Sequence, residues 1–157
     1  MAVKKQSAGI VLYRLNKKQV EVFLVHPGGP FFAKKDLGAW SIPKGEFNDE
    51  EDALEVAKRE FSEETGQNIT GEFQPLSPIE QKGGKTVYAW AVEGDADADE
   101  IHSNTFSIEW PPKSGKQREF PEVDKAGWFS ISTAKEKINQ SQAALINELL
   151  EKLGLNE

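Results

Sequence analysis

Hydrophobic and β-branched residues concentrate in two runs near the amino terminus, residues 7–15 and 20–26. The short polar stretch between these runs predicts a hairpin or two neighbouring strands. Residues 26–40 are rich in glycine and proline, which is typical of a loop. A short strand is predicted next, over residues 40–42, and it ends at Pro43.

The pattern becomes helical from Asn48 to Thr65. Asn48 or Asp49 can cap the start of this helix, acidic residues crowd its first turn, and Gly66 supplies the stop. The apolar residues that recur at helical spacing, and that should face the core, are Leu54, Ala57 and Phe61.

Beyond the helix, residues 69–80 predict one or two short strands, and residues 85–93 predict a further strand. The segment 94–121 is polar and broken by proline and glycine, and within it only residues 105–110 alternate like a strand. A loop of this length is usually either functional or disordered. The aromatic residues that favour an ordered, functional loop are Phe106, Trp110 and Phe120.

The last part of the chain predicts a strand at residues 126–130, a helix from about Ser132 and another helix from about Ser141 to Leu153. The apolar face of the final helix consists of Ala144, Leu145, Leu149 and Leu153. Strands mixed with one helix after the first group and another at the end predict an α/β fold, an α/β/α sandwich with a mixed β-sheet.

Length and composition narrow the class of protein. The 157 residues predict one domain, residues 1–157. Cysteine is absent, which excludes thiol catalysis, cysteine-based zinc sites and disulfides. Because the chain has no secretion signal and no apolar run near the roughly 18 residues that a membrane helix needs, we expect a cytoplasmic protein that does not bind membranes.

The formal net charge of −7 argues against a nucleic-acid-binding protein, because neutralising phosphates requires a basic surface. It does not exclude phosphate chemistry. Clustered carboxylates that hold magnesium neutralise the repulsion of a polyphosphate and activate its scissile bond.

Such a cluster is predicted on the first helix, where Glu60, Glu63 and Glu64 stand three and four positions apart and share one patch. Like charges at these spacings repel, so the helix loses stability unless a cation binds. Oxygen ligands in this number suit Mg²⁺ or Mn²⁺. The alternative is a solvated acidic helix face without a ligand.

The spacing of residues in the segment 45–66 favours the metal site over the solvated acidic face, because this segment resembles the Nudix box. That motif has a glycine, five residues, a glutamate, seven residues and then Arg-Glu-apolar-any-Glu-Glu-any-Gly-apolar. The matching residues are Gly45, Glu51, Arg59, Glu60, Phe61, Glu63, Glu64 and Gly66. Gln67 departs from the pattern, since the family usually has an aliphatic residue there.

The resemblance implies a Nudix-type α/β/α sandwich and a metal-dependent hydrolase. The metal ligands that it implies, directly or through water, are Glu60, Glu63 and Glu64, and Glu63 also counts among the catalytic residues. Arg59 would pair with Glu51 and orient these ligands, although an exposed helix charge is the alternative for Arg59. Gly45 would let its backbone carbonyl approach the metal, although a plain turn glycine is the alternative.

The family often adds a carboxylate from a loop just before a late strand, as an extra metal ligand or as the general base. Glu122, six residues before Trp128, fits this position, and Glu119 is the reserve. An exposed loop glutamate is the alternative. The implied mechanism is attack of an activated water on one phosphorus, without a covalent intermediate.

Three further features concern the substrate. Residues 40–45, Trp-Ser-Ile-Pro-Lys-Gly, resemble the segment of diadenosine tetraphosphate hydrolases in which the lysine, here Lys44, contacts phosphate. Tyr88 is a candidate for holding a base, although aromatic residues on strands more often belong to the core. In the loop 110–118, Trp110 and Lys116 are candidate contacts to the base and to phosphate.

We therefore expect hydrolysis of a phosphoanhydride bond in a nucleoside diphosphate linked to another moiety, such as diadenosine tetraphosphate. The alternative is a MutT-like nucleoside triphosphate pyrophosphohydrolase. A ligand sensor without activity is disfavoured because such modules commonly lose box glutamates. The expected partner is a small nucleotide polyphosphate, and the chain would act as a monomer or a homodimer.

Overall fold

A computed structural model describes residues 5–155 of the chain. The strands are β1 (Gln6–Asn16), β2 (Gln19–Pro27), β3 (Lys44–Phe47), β4 (Gln74–Pro75), β5 (Ile79–Gln81), β6 (Lys85–Glu93), β7 (Thr105–Glu109), β8 (Gln117–Pro121) and β9 (Val123–Ser130). The helices are α1 (Ala53–Thr65), α2 (Ile131–Lys137) and α3 (Ala143–Lys152), with a 3₁₀ turn at Gln140–Gln142.

Seven strands form a mixed sheet in the order β4-β6-β1-β2-β9, with β3 beside β1 and β5 beside β6. β1 is antiparallel to β2 and parallel to β6. Alternate residues of β1 face opposite sides: Ile10 and Leu12 pack with α1, whereas Val11 packs with α2 and α3. The predicted α/β/α sandwich with a mixed sheet is therefore confirmed.

The helix α1 begins later than its sequence predicts. Asp52 is the cap, and its carboxylate accepts a hydrogen bond from the backbone N–H of Glu55 at 3.0 Å. The prediction of Asn48 or Asp49 as the cap is wrong, because Asn48 instead closes a preceding turn by accepting the N–H of Glu50 at 2.9 Å. Gly66 ends the helix as predicted, with φ of 75°.

Two predicted helix faces need correction. In α1, Ala57 and Phe61 are buried as expected, but the third core residue is Val56, because Leu54 is only half-buried. In α3, Leu145 and Leu149 are buried, Leu153 is half-buried and Ala144 is exposed. The helix turns Ile146 and Leu150 inward instead, so its buried stripe is wider than the predicted one.

The predicted strand at residues 40–42 is wrong, since Trp40 and Ser41 form only isolated bridges. The backbone N–H of Ile42 donates to the side-chain oxygen of buried Gln142 at 3.1 Å, and therefore does not take part in strand pairing. The strand begins after Pro43, where β3 pairs with the first residues of β1. This shift places Lys44 and Gly45 at the start of a strand.

The segment 94–121 is ordered, as its aromatic residues predict. It contains the β7–β8 hairpin, whose second strand the sequence did not reveal. The backbone N–H of Asn104 donates to the carbonyl of Glu63 at 2.9 Å, and that of His102 donates to the carbonyl of Thr65 at 2.8 Å. The hairpin is therefore fixed to the carboxyl end of α1.

Gln67, the residue that departs from the box pattern, is bonded to the same segment. Its side-chain amide donates to the carbonyl of Asp97 at 2.8 Å and accepts the N–H of Asp97 at 2.8 Å. Two hydrogen bonds thus take the place of apolar packing. Across residues 5–155, every helix is too short or too polar to cross a bilayer.

Candidate active site

Glu60 and Gly45 are in direct contact where α1 meets β3. A β-carbon on Gly45 would overlap the carboxylate of Glu60. The Glu60 side chain is 14 % exposed. Burial, and then the charge of Glu63, raise the pKa of Glu60, while Arg59 opposes the rise. The glycine therefore makes the room in which a poorly solvated carboxylate lies against the β3 backbone.

Glu64 lies beside Glu60 in the same cleft. Burial first, and then the negative charge of Glu60, raise the pKa of Glu64 to about 8. The backbone N–H of Lys44 donates a hydrogen bond to the Glu64 carboxylate and opposes this rise. Two carboxylates in such a place disfavour each other's charge, and a bound cation would relieve both.

Arg59 stands among the acidic residues of the box. Its guanidinium lies 3.4 Å from Glu51, 3.8 Å from Glu60 and 3.7 Å from Glu63. The side chain of Arg59 is half exposed, so these contacts contribute little to the stability of the fold.

The donor set suits a hard divalent cation, because every nearby side-chain ligand is a carboxylate oxygen. Within residues 5–155, however, no three potential ligands already meet as a metal-binding group. Glu60 and Glu63 lean toward the guanidinium of Arg59. A cation held by Glu60, Glu63 and Glu64 together would therefore require Glu60 and Glu63 to turn from Arg59.

Glu122 reaches this cluster from the junction of β8 and β9. Its charge raises the pKa of both Glu60 and Glu64, as a nearby carboxylate must. Its N–H donates to the carbonyl of Asn104 at 2.8 Å, and its carbonyl accepts the N–H of Gly28 at 2.9 Å. Glu119, the reserve candidate, pairs with Ser107 inside the hairpin and affects neither pKa.

Lys44 lines a cleft of about 520 Å³, here named the Lys44 cleft. Burial first, and then the charge of Lys85, lower its pKa, while Glu64, Glu46 and Glu60 oppose the shift. Lys82 and Lys85 line the same cleft and were not identified from the sequence. The signal for them was the turn Gly83-Gly84, which brings its two flanking lysines to one side of β5 and β6.

Tyr88 lies elsewhere. Its ring is edge-on to Phe47, with the centroids 5.8 Å apart, and it lines a cavity of about 660 Å³ with Gln6, Asp49 and Thr86. The structure therefore brings Tyr88 close to the segment that begins the box, but it does not bring Tyr88 and Lys44 into one cavity.

Trp110 and Lys116 lie at the tip of the β7–β8 hairpin. The backbone N–H of Trp110 donates to the carbonyl of Lys116 at 2.9 Å. The ring of Trp110 meets that of Phe31, with the centroids 5.5 Å apart. Neither Trp110 nor Lys116 lines the Lys44 cleft, so the structure separates them from that part of the site.

Comparison with known proteins assigns the family. The model of the Nudix domain matches residues 3–149. The chain therefore belongs to the Nudix family, and it is a hydrolase of the class that acts on nucleoside diphosphates linked to another moiety. None of the curated protein sequences matches the chain.

Solved structures with the same fold differ widely in sequence. A binary complex of the C. elegans Ap4A hydrolase is 22 % identical, with a TM-score of 0.66, over 96 % of this chain and 98 % of that chain. The Nudix domain of Shewanella oneidensis NrtR, complexed with ADP ribose, is 18 % identical, with a TM-score of 0.67, over 98 % of this chain and 90 % of that chain. At such low identity these structures establish the fold and not the substrate.

Proposed function

We propose that the chain hydrolyses dinucleoside polyphosphates of the diadenosine tetraphosphate type in a reaction that depends on a divalent cation. The observation that carries this proposal is the Lys44 cleft, which Lys44, Lys82 and Lys85 line together. Of these three, Lys44 is also close enough to Glu60 and Glu64 for their charges to act on its pKa. Three lysines in one cleft, one of them in contact with the carboxylate cluster and one paired with Glu46 at 3.7 Å, suit a chain of several phosphates better than a single one.

Glu60, Glu63 and Glu64 would hold Mg²⁺ or Mn²⁺, together with the backbone carbonyl of Gly45 and, as an extra ligand, Glu122. The raised pKa values of Glu60 and Glu64 support this role, because a cation offsets the cost of burying their charges. When bound, such an ion neutralises phosphate charge and makes a water more acidic.

The chain's own residues prepare the water and the phosphates. Glu122 or Glu63 accepts the proton of the attacking water as the general base, while the pair of Arg59 and Glu51 holds the ligand carboxylates in orientation. Lys44 binds a phosphate outside the scissile bond and neutralises its charge. Because water itself attacks phosphorus, no residue of the chain forms a covalent intermediate.

Tyr88 is the proposed contact for one nucleobase. Its ring and that of Phe47 meet at 70°, which leaves aromatic surface open toward the 660 Å³ cavity. Base stacking on such a surface does not depend strongly on the identity of the base. This assignment therefore explains binding of a nucleoside and not selection of adenine.

The test measures product formation from diadenosine tetraphosphate, ATP, deoxynucleoside triphosphates and ADP-ribose, each with Mg²⁺, with Mn²⁺ and with excess chelator. We expect preferred cleavage of diadenosine tetraphosphate to ATP and AMP, and no turnover in chelator. Preferred release of pyrophosphate from a nucleoside triphosphate would replace the proposal with a MutT-like activity. Undiminished turnover in chelator would remove the metal role.

A further inference from the structure

The loop between β2 and β3 carries three exposed large apolar side chains. Phe31 is 62 % exposed, Leu37 is 68 % exposed and Phe32 is 38 % exposed. Among residues 5–155, the only other exposed large hydrophobic residues are Leu15 in β1 and Leu155 after α3, both outside this loop. A single exposed apolar side chain such as Leu37 is ordinary, whereas an exposed ring that meets a second aromatic ring can mark an interaction site.

Within this loop, Phe31 is paired with Trp110 of the β7–β8 hairpin. The planes of the two rings meet at 83°, with the centroids 5.5 Å apart. When two rings meet at right angles, the face of one ring and the edge of the other border a common corner. A flat base placed in that corner can stack on the face and contact the edge. Phe32 has a different neighbour, because the ammonium of Lys35 lies 5.4 Å from its ring centroid.

The pair is tied to the proposed catalytic carboxylates through its two supporting segments. Gly28, three residues before Phe31, donates its N–H to the carbonyl of Glu122 at 2.9 Å. Gly29 leaves no room for a side chain, because the ring of Phe106 fills the place of a β-carbon. Strand β8, which connects the hairpin tip to Glu122, is five residues long, so the tip lies roughly 16 Å along the strand from Glu122.

The charge near the pair complements a phosphorylated ligand. Lys113 and Lys116 follow Trp110 in the hairpin tip, Arg118 lies in β8, and Lys34 and Lys35 follow Phe31 in the loop. The acidic residues of the same segments are fewer: Asp36, Glu109 and Glu119. Such a concentration of cations is notable in a chain with a net charge of −7. An accessible aromatic pair whose two segments carry more cations than carboxylates favours a base attached to phosphate over a purely apolar partner.

We infer that Phe31 and Trp110 form a stacking site for a nucleobase and bind the second nucleoside of a substrate whose phosphates lie at the carboxylate cluster. The part about the second nucleoside rests on the proposed function. Tyr88 and Phe47 lie near the start of the box, whereas Phe31 and Trp110 lie at the hairpin tip. Two separate aromatic pairs match a substrate with a base at each end.

The kinetic test compares diadenosine tetraphosphate with adenosine 5′-tetraphosphate, which has the same phosphates and only one base. We expect Phe31→Ala to lower kcat/KM for diadenosine tetraphosphate roughly tenfold to hundredfold, mainly through KM, and to affect the one-base substrate less. Phe31→Tyr keeps an aromatic ring and should therefore retain the preference for diadenosine tetraphosphate over the one-base substrate. The matched control is Leu37→Ala, which removes an equally exposed apolar side chain from the same loop and should leave the preference intact.

A binding test separates this inference from the proposed function. Stacking of adenine on Trp110 should quench tryptophan fluorescence when diadenosine tetraphosphate and Mg²⁺ are added to the Glu64→Gln variant, in which we expect slow turnover. Adding Phe31→Ala should remove most of the quench, and Leu37→Ala should not. If wild-type protein cleaves no dinucleoside polyphosphate but this pattern holds, the proposed function fails and the stacking site stands. A quench unaffected by Phe31→Ala, or equal kinetic losses for both substrates, would overturn the stacking site.

Discussion

The carboxylate of Glu60 occupies the space that a β-carbon on Gly45 would need. The glycine is therefore required for the position of a side chain on another element, since Gly45 does not have a positive φ. Because a glutamate side chain can turn away from an added methyl group, the fold tolerates a substitution that the site does not.

Gly45→Ala should consequently lower kcat by at least tenfold while the thermal midpoint changes by only a few degrees. Turnover of diadenosine tetraphosphate and thermal unfolding measure the two effects. The control is Gly94→Ala, whose β-carbon would approach a methyl group of Leu12 at 3.2 Å and no site residue. Full activity of Gly45→Ala would show that the position of Glu60 does not matter for the reaction.

The raised pKa of Glu64 predicts a pH dependence of stability in metal-free protein. Glu64 keeps its proton up to about pH 8 in the folded chain, whereas in the unfolded chain it loses the proton near 4.5. Between these values the folded state binds more protons, so stability falls as pH rises from about 4.5 to about 8. Glu64→Gln should remove this fall, on the order of a few kcal/mol, and lower turnover by orders of magnitude.

Urea unfolding in chelator at pH 5 and pH 8.5 measures the effect of Glu64→Gln. The exposed Glu72 lies outside the site, and Glu72→Gln should leave the wild-type pH dependence in place. If Glu64→Gln and wild-type protein lose the same free energy of unfolding between pH 5 and pH 8.5, the pKa of Glu64 is not raised by burial. Near-normal turnover of Glu64→Gln would contradict its role as a ligand.

Lys44→Met should weaken the preference for long polyphosphates. A charge-assisted contact to phosphate contributes roughly 1.5–3 kcal/mol, so kcat/KM for diadenosine tetraphosphate should fall about tenfold to hundredfold. Slow hydrolysis of short substrates should survive because the box is intact. Lys152→Met, which removes an exposed lysine paired with Glu148 on α3, is the control. An equal loss for short and long substrates would mean that Lys44 does not select chain length.

The sequence predicted the elements whose signals are local. The 3.6-residue repeat and Gly66 defined the end of α1, and the alternating strand at residues 85–93 agrees with the bounds of β6. Strand β8 was missed because Gln117–Pro121 is polar and has almost no buried side chain, so only its pairing with β7 makes it a strand. The start of β3 was missed because it depends on pairing with β1, which is distant in the sequence.

The same distinction applies to the site. Glu60, Glu63 and Glu64 are neighbours on one helix, so their spacing alone brought them together. Phe31 had no signal of its own, because its meeting with Trp110 depends on how a loop and a hairpin pack. Lys82 and Lys85 likewise gain their meaning only when the β5–β6 turn comes to lie beside Lys44.

Glu122 and Glu119 offer a matched pair of substitutions, since both are exposed glutamates near the end of the hairpin. Only Glu122 acts on the pKa of Glu60 and Glu64. Glu122→Gln should therefore lower kcat by about a hundredfold or more, as the loss of a general base or a ligand does, whereas Glu119→Gln should keep wild-type turnover. Glu122→Gln should also lower the pKa of Glu64 in metal-free protein, because it removes a neighbouring negative charge. NMR titration of the Glu64 side chain checks that shift independently of catalysis. If Glu119→Gln were the damaging change instead, β8 rather than the β8–β9 junction would supply the catalytic carboxylate.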